Sequence, residues 1–327
     1  MFYKDLNVQF NKLHKLSLKK KKNNVFILSS TSDKSKKKYL TPIRESENTV
    51  YMGAVIYDDL AAKKITNVIK KKVDFVFVDT EKKTKKLKGV INIERTVREN
   101  IDNKKLFYFK ANDLTVNATS NLLETLFYGD IRNVANKKIL IIGAGNIGFK
   151  LGLLLIERGV KVTLYRKKKH LLTTLVKTLN FIKPKATLNK AKLINKIPNN
   201  LKKFDIIINC SNSYTPIFKD KKIEFTKNNI FIEVGKNLFD QKLLFKLIDE
   251  NLKIFRLDVT DSFNQLIEQK INNKKVFLKK NFIRIKKGDK SYISAGLLGK
   301  INDIVVDNPL NPKKIYGVIN KNMRLKN

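Results

Sequence analysis

Gly143, Gly145 and Gly148 stand at the G-x-G-x-x-G interval. That interval lets a backbone turn tightly and approach a pyrophosphate. Gly143 allows the turn out of a strand, Gly145 leaves room for the phosphates, and Gly148 lets a helix pack close to the strand. Ala144, Asn146 and Ile147 fill the remaining positions of the loop. The helix that follows offers free N–H groups and a partial positive charge at its start. A glycine triplet by itself says little, so the flanks matter. Residues 139–142 are an apolar run, Leu151, Leu154 and Leu155 recur at helical spacing up to Gly159, and residues 160–165 are a second strand-like run. Strand, glycine loop, helix and strand are the context the interval needs. The alternative is an α/β unit of the same shape that binds nothing.

The end of the second strand predicts which dinucleotide. NAD binders usually carry Asp or Glu there, for the ribose hydroxyls. This chain carries Tyr165, Arg166 and Lys167, followed by two further lysines. No carboxylate would repel a 2′-phosphate, and the Arg166 guanidinium can grip one while stacking on adenine. NADP is therefore the expected cofactor. It would supply the hydride chemistry, and the protein would supply position and charge. Reduction of a carbonyl also moves a proton, which calls for an acid/base residue nearby.

Several elements must position these groups. Residues 1–23 are basic and mixed, and read as a strand or a loose arm. Strands are expected at 24–30, 50–57, 73–79 and 106–110. Helices are expected from Asp58 and Asp59 over Leu60, Ile65 and Ile69, and at 94–101. This is a small α/β domain over residues 1–110. A connecting helix at 112–127, within a 111–136 linker, has Asp113 at an N-cap position. Residues 137–260 form a doubly wound parallel sheet, with strands at 186–188, 204–210, 229–235 and 253–257 and a helix at 238–250. In residues 261–327, runs at 276–285 and 292–293 flank Gly288-Asp289 and suggest a hairpin. A last strand is expected at 314–319. This C-terminal segment is expected to pack on the first domain or on a partner subunit.

The order of these motifs resembles the shikimate dehydrogenases, and over the cofactor domain also the glutamyl-tRNA reductases. Shikimate dehydrogenases open a helix with N-T-D and run into a G-K-x-x-L-I-x-G-A-G-G strand and loop. Here Ala111-Asn112-Asp113 is followed by the helix, Asn136-Lys137-Lys138-Ile139-Leu140 and Gly143-Ala144-Gly145-Asn146. The strand 204–210 and its Ser211-to-Pro216 loop are similar to the D-x-V-I-N/S-A-T strand and loop of the same domains. Methylene-tetrahydromethanopterin dehydrogenases place a similar acidic segment before their NADP domain. The resemblance covers about residues 112–236. It implies that Cys210, Ser211 and Asn212 face the cofactor, and that Asp113 matches the family's Asp, which shares proton transfer with a Lys in T-x-P-x-K. The nearest segment here, Thr41-Pro42-Ile43-Arg44, ends in Arg. Lys110 is the local substitute for that Lys.

Composition bounds the rest. The chain has 327 residues, a net charge of +40, 42% hydrophobic residues, one cysteine and two histidines. It is long enough for two domains. Such a charge suits nucleic acid or an anionic surface, yet lysines are spread along the whole length, so nucleic acid is not the expected partner. One cysteine excludes an intrachain disulfide, and a metal site is not expected, because Cys and His show no metal-ligand spacing. No run approaches a membrane span, so a cytoplasmic chain with a small-molecule substrate is expected, with a homodimer compatible. The functional expectation is an NADP-dependent oxidoreductase acting on a small hydroxy or keto compound in an interdomain cleft. A non-catalytic NADP(H) sensor is the alternative.

Overall fold

The computed structural model describes residues 1–30, 37–81, 92–128, 132–219, 223–279 and 282–326. It divides into two compact units, Met1–Asn264 and Gln265–Asn327.

The larger unit opens with α1 (Phe2–Lys20), where a strand or arm was expected. Leu6, Phe10, Leu13 and Ser17 are buried at spacings of four and three, which is a helical stripe. The intervening lysines lie on the solvent side and obscure the stripe in a linear reading. The first sheet contains β1 (Asn23–Ser30), β2 (Tyr39–Leu40), β3 (Arg44–Glu45), β4 (Thr49–Ile56), β5 (Phe75–Asp79) and β6 (Leu106–Phe109). The parallel strands lie in the order β4-β1-β5-β6, and β2 and β3 run antiparallel to β4. Two further helices, α2 (Asp59–Ile69) and α3 (Ile93–Asn100), complete this part. Asp58 caps α2 by accepting from Ala61 N at 2.7 Å. One sheet face, through Phe26, Leu28, Met52 and Val76, packs with α1 and α2 into a single core. Burying Leu6, Phe10 and Leu13 stabilises the α1 contact by roughly 2 kcal/mol each. The opposite face carries Ile27, Tyr51, Phe77 and Phe107.

A long helix, α4 (Ala111–Leu126), leads through α5 (Arg132–Ala135) into the second sheet. Its strands are β7 (Lys138–Ile142), β8 (Lys161–Tyr165), β9 (Lys192–Ile194), β10 (Ile206–Asn209), β11 (Ile230–Glu233) and β12 (Lys253–Arg256), with helices α6 (Asn146–Glu157), α7 (Lys169–Ile182) and α8 (Gln241–Asp249) between them. All pairings are parallel, in the order β12-β11-β10-β7-β8-β9. Counted from β7 this is 3-2-1-4-5-6, the doubly wound dinucleotide-binding arrangement. The fold class is α/β as expected. Both faces are covered: Ile139, Ile141, Leu164 and Ile208 join one core, and Leu140, Ile142, Ile207 and Phe231 the other. That double burial is why these strands read as unbroken apolar runs. The short strand expected at 186–188 is found at Lys192–Ile194 instead, because a turn at Pro184–Thr187 occupies the expected position.

Helix α9 (Thr260–Lys279) extends through residues expected to start a hairpin, so the hairpin begins later, with β13 (Arg284–Lys287) and β14 (Lys290–Ser294) around Gly288-Asp289. The smaller unit also holds β15 (Ile304–Val306), β16 (Ile315–Ile319) and β17 (Leu325–Lys326), in a sheet whose small core is Ile293, Val305 and Ile319. No described helix is long and apolar enough to cross a membrane.

Candidate nucleotide site and adjoining cavity

The glycine loop leaves the C-terminal end of β7 beside β10, where the strand order reverses. Crevices at such reversals are where open α/β sheets bind ligands. Gly143 has φ +96°, and a Cβ there would stand 2.6 Å from Ser211 N. The N–H groups of Gly143 and Ala144 both donate to Tyr165 O, at 2.9 and 3.1 Å, which ties the loop to the end of β8. A Cβ on Gly148 would lie 2.4 Å from Gly143 O and 3.2 Å from Ile141 Cγ2, so this glycine sets how closely α6 approaches the strand. Gly145 differs, because a Cβ there meets nothing within 4 Å. It is the N-cap of α6, and the N–H groups of Asn146, Ile147 and Gly148 form the first turn. First-turn N–H groups have no intrahelical acceptor. The open side of the loop thus carries helix N-terminal N–H groups that have no intrahelical acceptor.

Arg166 leaves the end of β8 and donates from Nη1 to Ala144 O at 2.8 Å. One corner of the guanidinium holds the loop, and among the described residues its other N–H groups have no hydrogen-bond partner. Lys167 is exposed beside it. Across the reversal, Cys210 N donates to Ile142 O at 2.7 Å. The buried Asn209 accepts from Ser211 N and Ser211 Oγ at 3.0 and 2.7 Å and donates to Lys236 O at 3.1 Å. Asn212 pairs with Lys236 in an isolated bridge. Burial pushes the Cys210 thiol up to about 12, so it stays protonated and un-nucleophilic near neutrality. The structure therefore gathers Gly143 to Gly148, Tyr165, Arg166, Lys167 and Cys210 to Asn212 at one end of the second sheet.

Helix α4 connects this end to the first sheet. Its N-cap is Lys110, not Asp113 as the sequence suggests. Carboxylates from the end of β5 do the capping: Asp79 Oδ1 accepts from Ala111 N at 3.3 Å and Glu81 Oε2 from Asn112 N at 3.2 Å. With the cap position taken, Asp113 falls within the first turn and pairs with Lys150 Nζ of α6. Lys110 is exposed. Further along, Arg158 at the C-cap of α6 donates to Ser120 Oγ at 2.8 Å and pairs with Glu124 at 3.2 Å, so the two helices are tied at both ends.

Next to the start of α4 is a cavity of about 180 Å³. Ile27, Val55, Phe109, Leu114 and Phe263 are among its apolar lining residues, and Arg44, Tyr51, Ser29, Thr115 and Thr260 supply polar atoms. Tyr51 donates its hydroxyl to Asn264 Oδ1 at 2.6 Å and stacks on Phe263 at 6.1 Å. Burial pushes its phenol up to about 12. Sequence reasoning noted Thr41 to Arg44 only as a departure from a motif and did not find Tyr51. The signal was weak, because a tyrosine in an apolar strand reads as core. Among the described residues, no group of three or more His, Cys, Asp and Glu is placed to hold a metal.

No curated protein matches the chain by sequence. Among solved structures, a shikimate dehydrogenase in complex with NADP+ aligns at 18% identity and a TM-score of 0.42, over 79% of this chain and 90% of that one. A ligand-free 5-ketofructose reductase of Gluconobacter sp. strain CHM43 aligns at 12% identity and 0.38, over 79% and 93%. The A chain of dipicolinate synthase from Bacillus subtilis aligns at 11% and 0.36, over 77% and 79%. Residues 126–236, from the end of α4 to just beyond β11, match the family model of shikimate / quinate 5-dehydrogenase.

Proposed function

We propose that the chain is an NADP-dependent oxidoreductase that moves a hydride to or from a small hydroxy or keto compound. The observation that carries this is the open Gly145 face at the strand-order reversal, with Arg166 anchored beside it. The residues present suit the cofactor. Its pyrophosphate would meet the first-turn N–H groups of Asn146 to Gly148, beside Gly145, where an added Cβ would meet nothing within 4 Å. The 2′-phosphate would meet Arg166 and Lys167. When bound, NADP(H) supplies the hydride acceptor or donor. The chain's own part is to hold it, exclude water and move the proton. Asp113, with Lys110 as the local lysine, is the assigned acid/base pair. The family match over residues 126–236 supports the cofactor half of this reading.

The pairing of Asp113 with Lys150 and the exposure of Lys110 favour a second reading. In it the chain binds NADP(H) without turnover and acts as a sensor. The test of the first reading is a fluorescence titration of the pure chain with NADPH and NADH. A clear NADPH preference that Arg166→Asp removes is the expected result. Equal losses for both cofactors would reject the assignment of Arg166.

A further inference from the structure

The second sheet has an open groove at the end away from the glycine loop. Lys138, Lys161 and Lys192 are the first residues of β7, β8 and β9. Lys138 pairs with Lys161, and Lys192 pairs with Thr163, two positions after Lys161. Side chains alternate along a strand, so all three lysines project from one face of the sheet. Further along the same strands, that face carries Leu140, Tyr165 and Ile194, which belong to the core that α8 helps to cover. Toward β9 no helix continues this cover, because residues 195–205, the crossover from β9 to β10, form none. A groove of about 620 Å³ is left there. Its rim is pinned: Asn189 Nδ2 donates to Gly159 O, and Asn180 exchanges hydrogen bonds with the Ala191 backbone at 2.7 and 3.0 Å.

Lys138, Lys161, Lys190, Lys192 and Lys203 line this groove, and among the described residues no carboxylate does. All five are exposed, and among those residues none makes an ion pair. Elsewhere lysines do meet acids, as Lys20 and Lys22 meet Glu45. On the segments adjoining the groove, Asp205 Oδ2 accepts from Lys138 N at 2.7 Å and Glu224 pairs with Lys202 at 3.1 Å. Asp205 offsets part of the charge without meeting a groove ammonium. Neighbouring strands are ~4.8 Å apart, so the like charges opposite each other on β7 and β8 repel. A lysine-rich composition accounts for exposed lysines. It does not account for this convergence, which strand register produces and which a bound anion would relieve.

We propose that this groove binds a small molecule carrying two or more phosphate groups. An ammonium is a point charge that suits phosphate oxygens, and among the described residues no arginine lines the groove to grip a planar carboxylate. From β7 to β9 the lysines span ~10 Å, more than one phosphate reaches. The Thr163 hydroxyl stands beside Lys192 and makes no hydrogen bond among the described residues, so it serves as a further donor. A nucleic-acid strand fits less well, because single-strand sites stack bases on exposed rings. Phe204 is the aromatic residue lining the groove, and it is 6% exposed, with Lys203 Nζ over its ring at 5.3 Å. At ~3.3 Å per residue, β7 puts about 13 Å between Lys138 and the glycine-loop end of the strand. The groove is therefore separate from the nucleotide site and does not depend on the dehydrogenase reading.

The test is calorimetric titration of the full chain with inorganic tripolyphosphate and with orthophosphate at about 0.15 M salt, without and with NADPH. Tripolyphosphate binds at least about tenfold more tightly than orthophosphate, because it reaches more of the lysines, and NADPH does not displace it. Lys161→Gln with Lys192→Gln weakens tripolyphosphate at least about tenfold. Lys4→Gln with Lys12→Gln removes the same net charge from exposed positions of α1. That pair changes the affinity by less than about twofold, because charges beyond ~8 Å are screened at this salt. If circular dichroism shows that the strand-start pair does not fold, Lys190→Gln with Lys203→Gln, both outside strands and helices, decides in its place. No tripolyphosphate binding, its displacement by NADPH, or equal losses in the groove and α1 variants would overturn the proposal. Tighter binding of a short oligo-deoxythymidylate than of tripolyphosphate would also overturn it and make nucleic acid the partner. Tripolyphosphate binding that needs the groove lysines in a chain that does not bind NADPH would reject the cofactor reading and leave this one standing.

Discussion

Two glycines a turn apart separate a ligand site from a packing site. In Gly145→Ala the new methyl meets no protein atom within 4 Å, and the backbone there is extended, at φ −92° and ψ −152°. Alanine is a poorer N-cap than glycine by a few tenths of a kcal/mol to about 1 kcal/mol. Restricting the unfolded chain returns about 0.4–1 kcal/mol. Stability should therefore change by no more than about 0.5 kcal/mol. The methyl does stand where a pyrophosphate must approach the first-turn N–H groups. Losing two charge-assisted hydrogen bonds, at about 1.5 kcal/mol each or more, weakens NADPH binding by roughly 100-fold. In Gly148→Ala the methyl would lie 2.4 Å from Gly143 O, and backbone cannot yield as a side-chain tip can. Overpacking of this kind costs about 1–3 kcal/mol, or roughly 2–10 °C in melting temperature for a unit of this size. The assays are thermal unfolding by circular dichroism and NADPH titration by nicotinamide fluorescence. A Gly145→Ala chain that melts early and still binds NADPH normally would refute the reasoning, since the glycine would then be structural.

Other expectations follow from the same geometry. Arg166→Ala removes a bond to Ala144 O that serves both cofactors, at about 1 kcal/mol, so the NADPH-to-NADH affinity ratio is the informative quantity; it should fall at least about tenfold, and an unchanged ratio counts against a 2′-phosphate role. Asp113→Asn should lower turnover at least about 100-fold if Asp113 moves the proton, with NADPH affinity unchanged. Its half-exposed ion pair with Lys150 contributes only about 0–1 kcal/mol to stability, so unfolding temperature should hardly move. Burial raises the Cys210 thiol from its ordinary 9.0 to about 12. A raised thiol favours the neutral folded form, so its contribution is complete below about pH 9 and declines as pH rises toward 12. Denaturant unfolding of wild type and Cys210→Ala should show a stability difference that shrinks over that window, and a difference that grows would contradict the assignment. At pH 7.5 the native thiol should also resist a thiol reagent that modifies the unfolded chain readily.

Local order set out the cofactor unit and the limits of the chemistry. Residues 139–142, Gly143 to Gly148 and residues 160–165 each specify their own conformation, through chain stiffness, turn geometry and burial on both faces. The structure moves their edges by a residue at most. Composition likewise excluded an intrachain disulfide before any fold was known. Where local signals were mixed, tertiary packing decided. Helix α1 exists because Leu6, Phe10 and Leu13 find a sheet face to cover, and nothing within residues 1–23 announces that face. Asp113 looks like an N-cap until Asp79 and Glu81 arrive from a distant strand end and satisfy the first N–H groups of α4. The strand order around β7 has no local signature, since parallel strands pair across long crossovers. That order is what brings Ser211 against Gly143. The cavity depended still more on register. Arg44 and Tyr51 are seven positions apart and meet only because β3 pairs antiparallel to β4 in one alignment. A shift of a single residue would turn one of them to the opposite face.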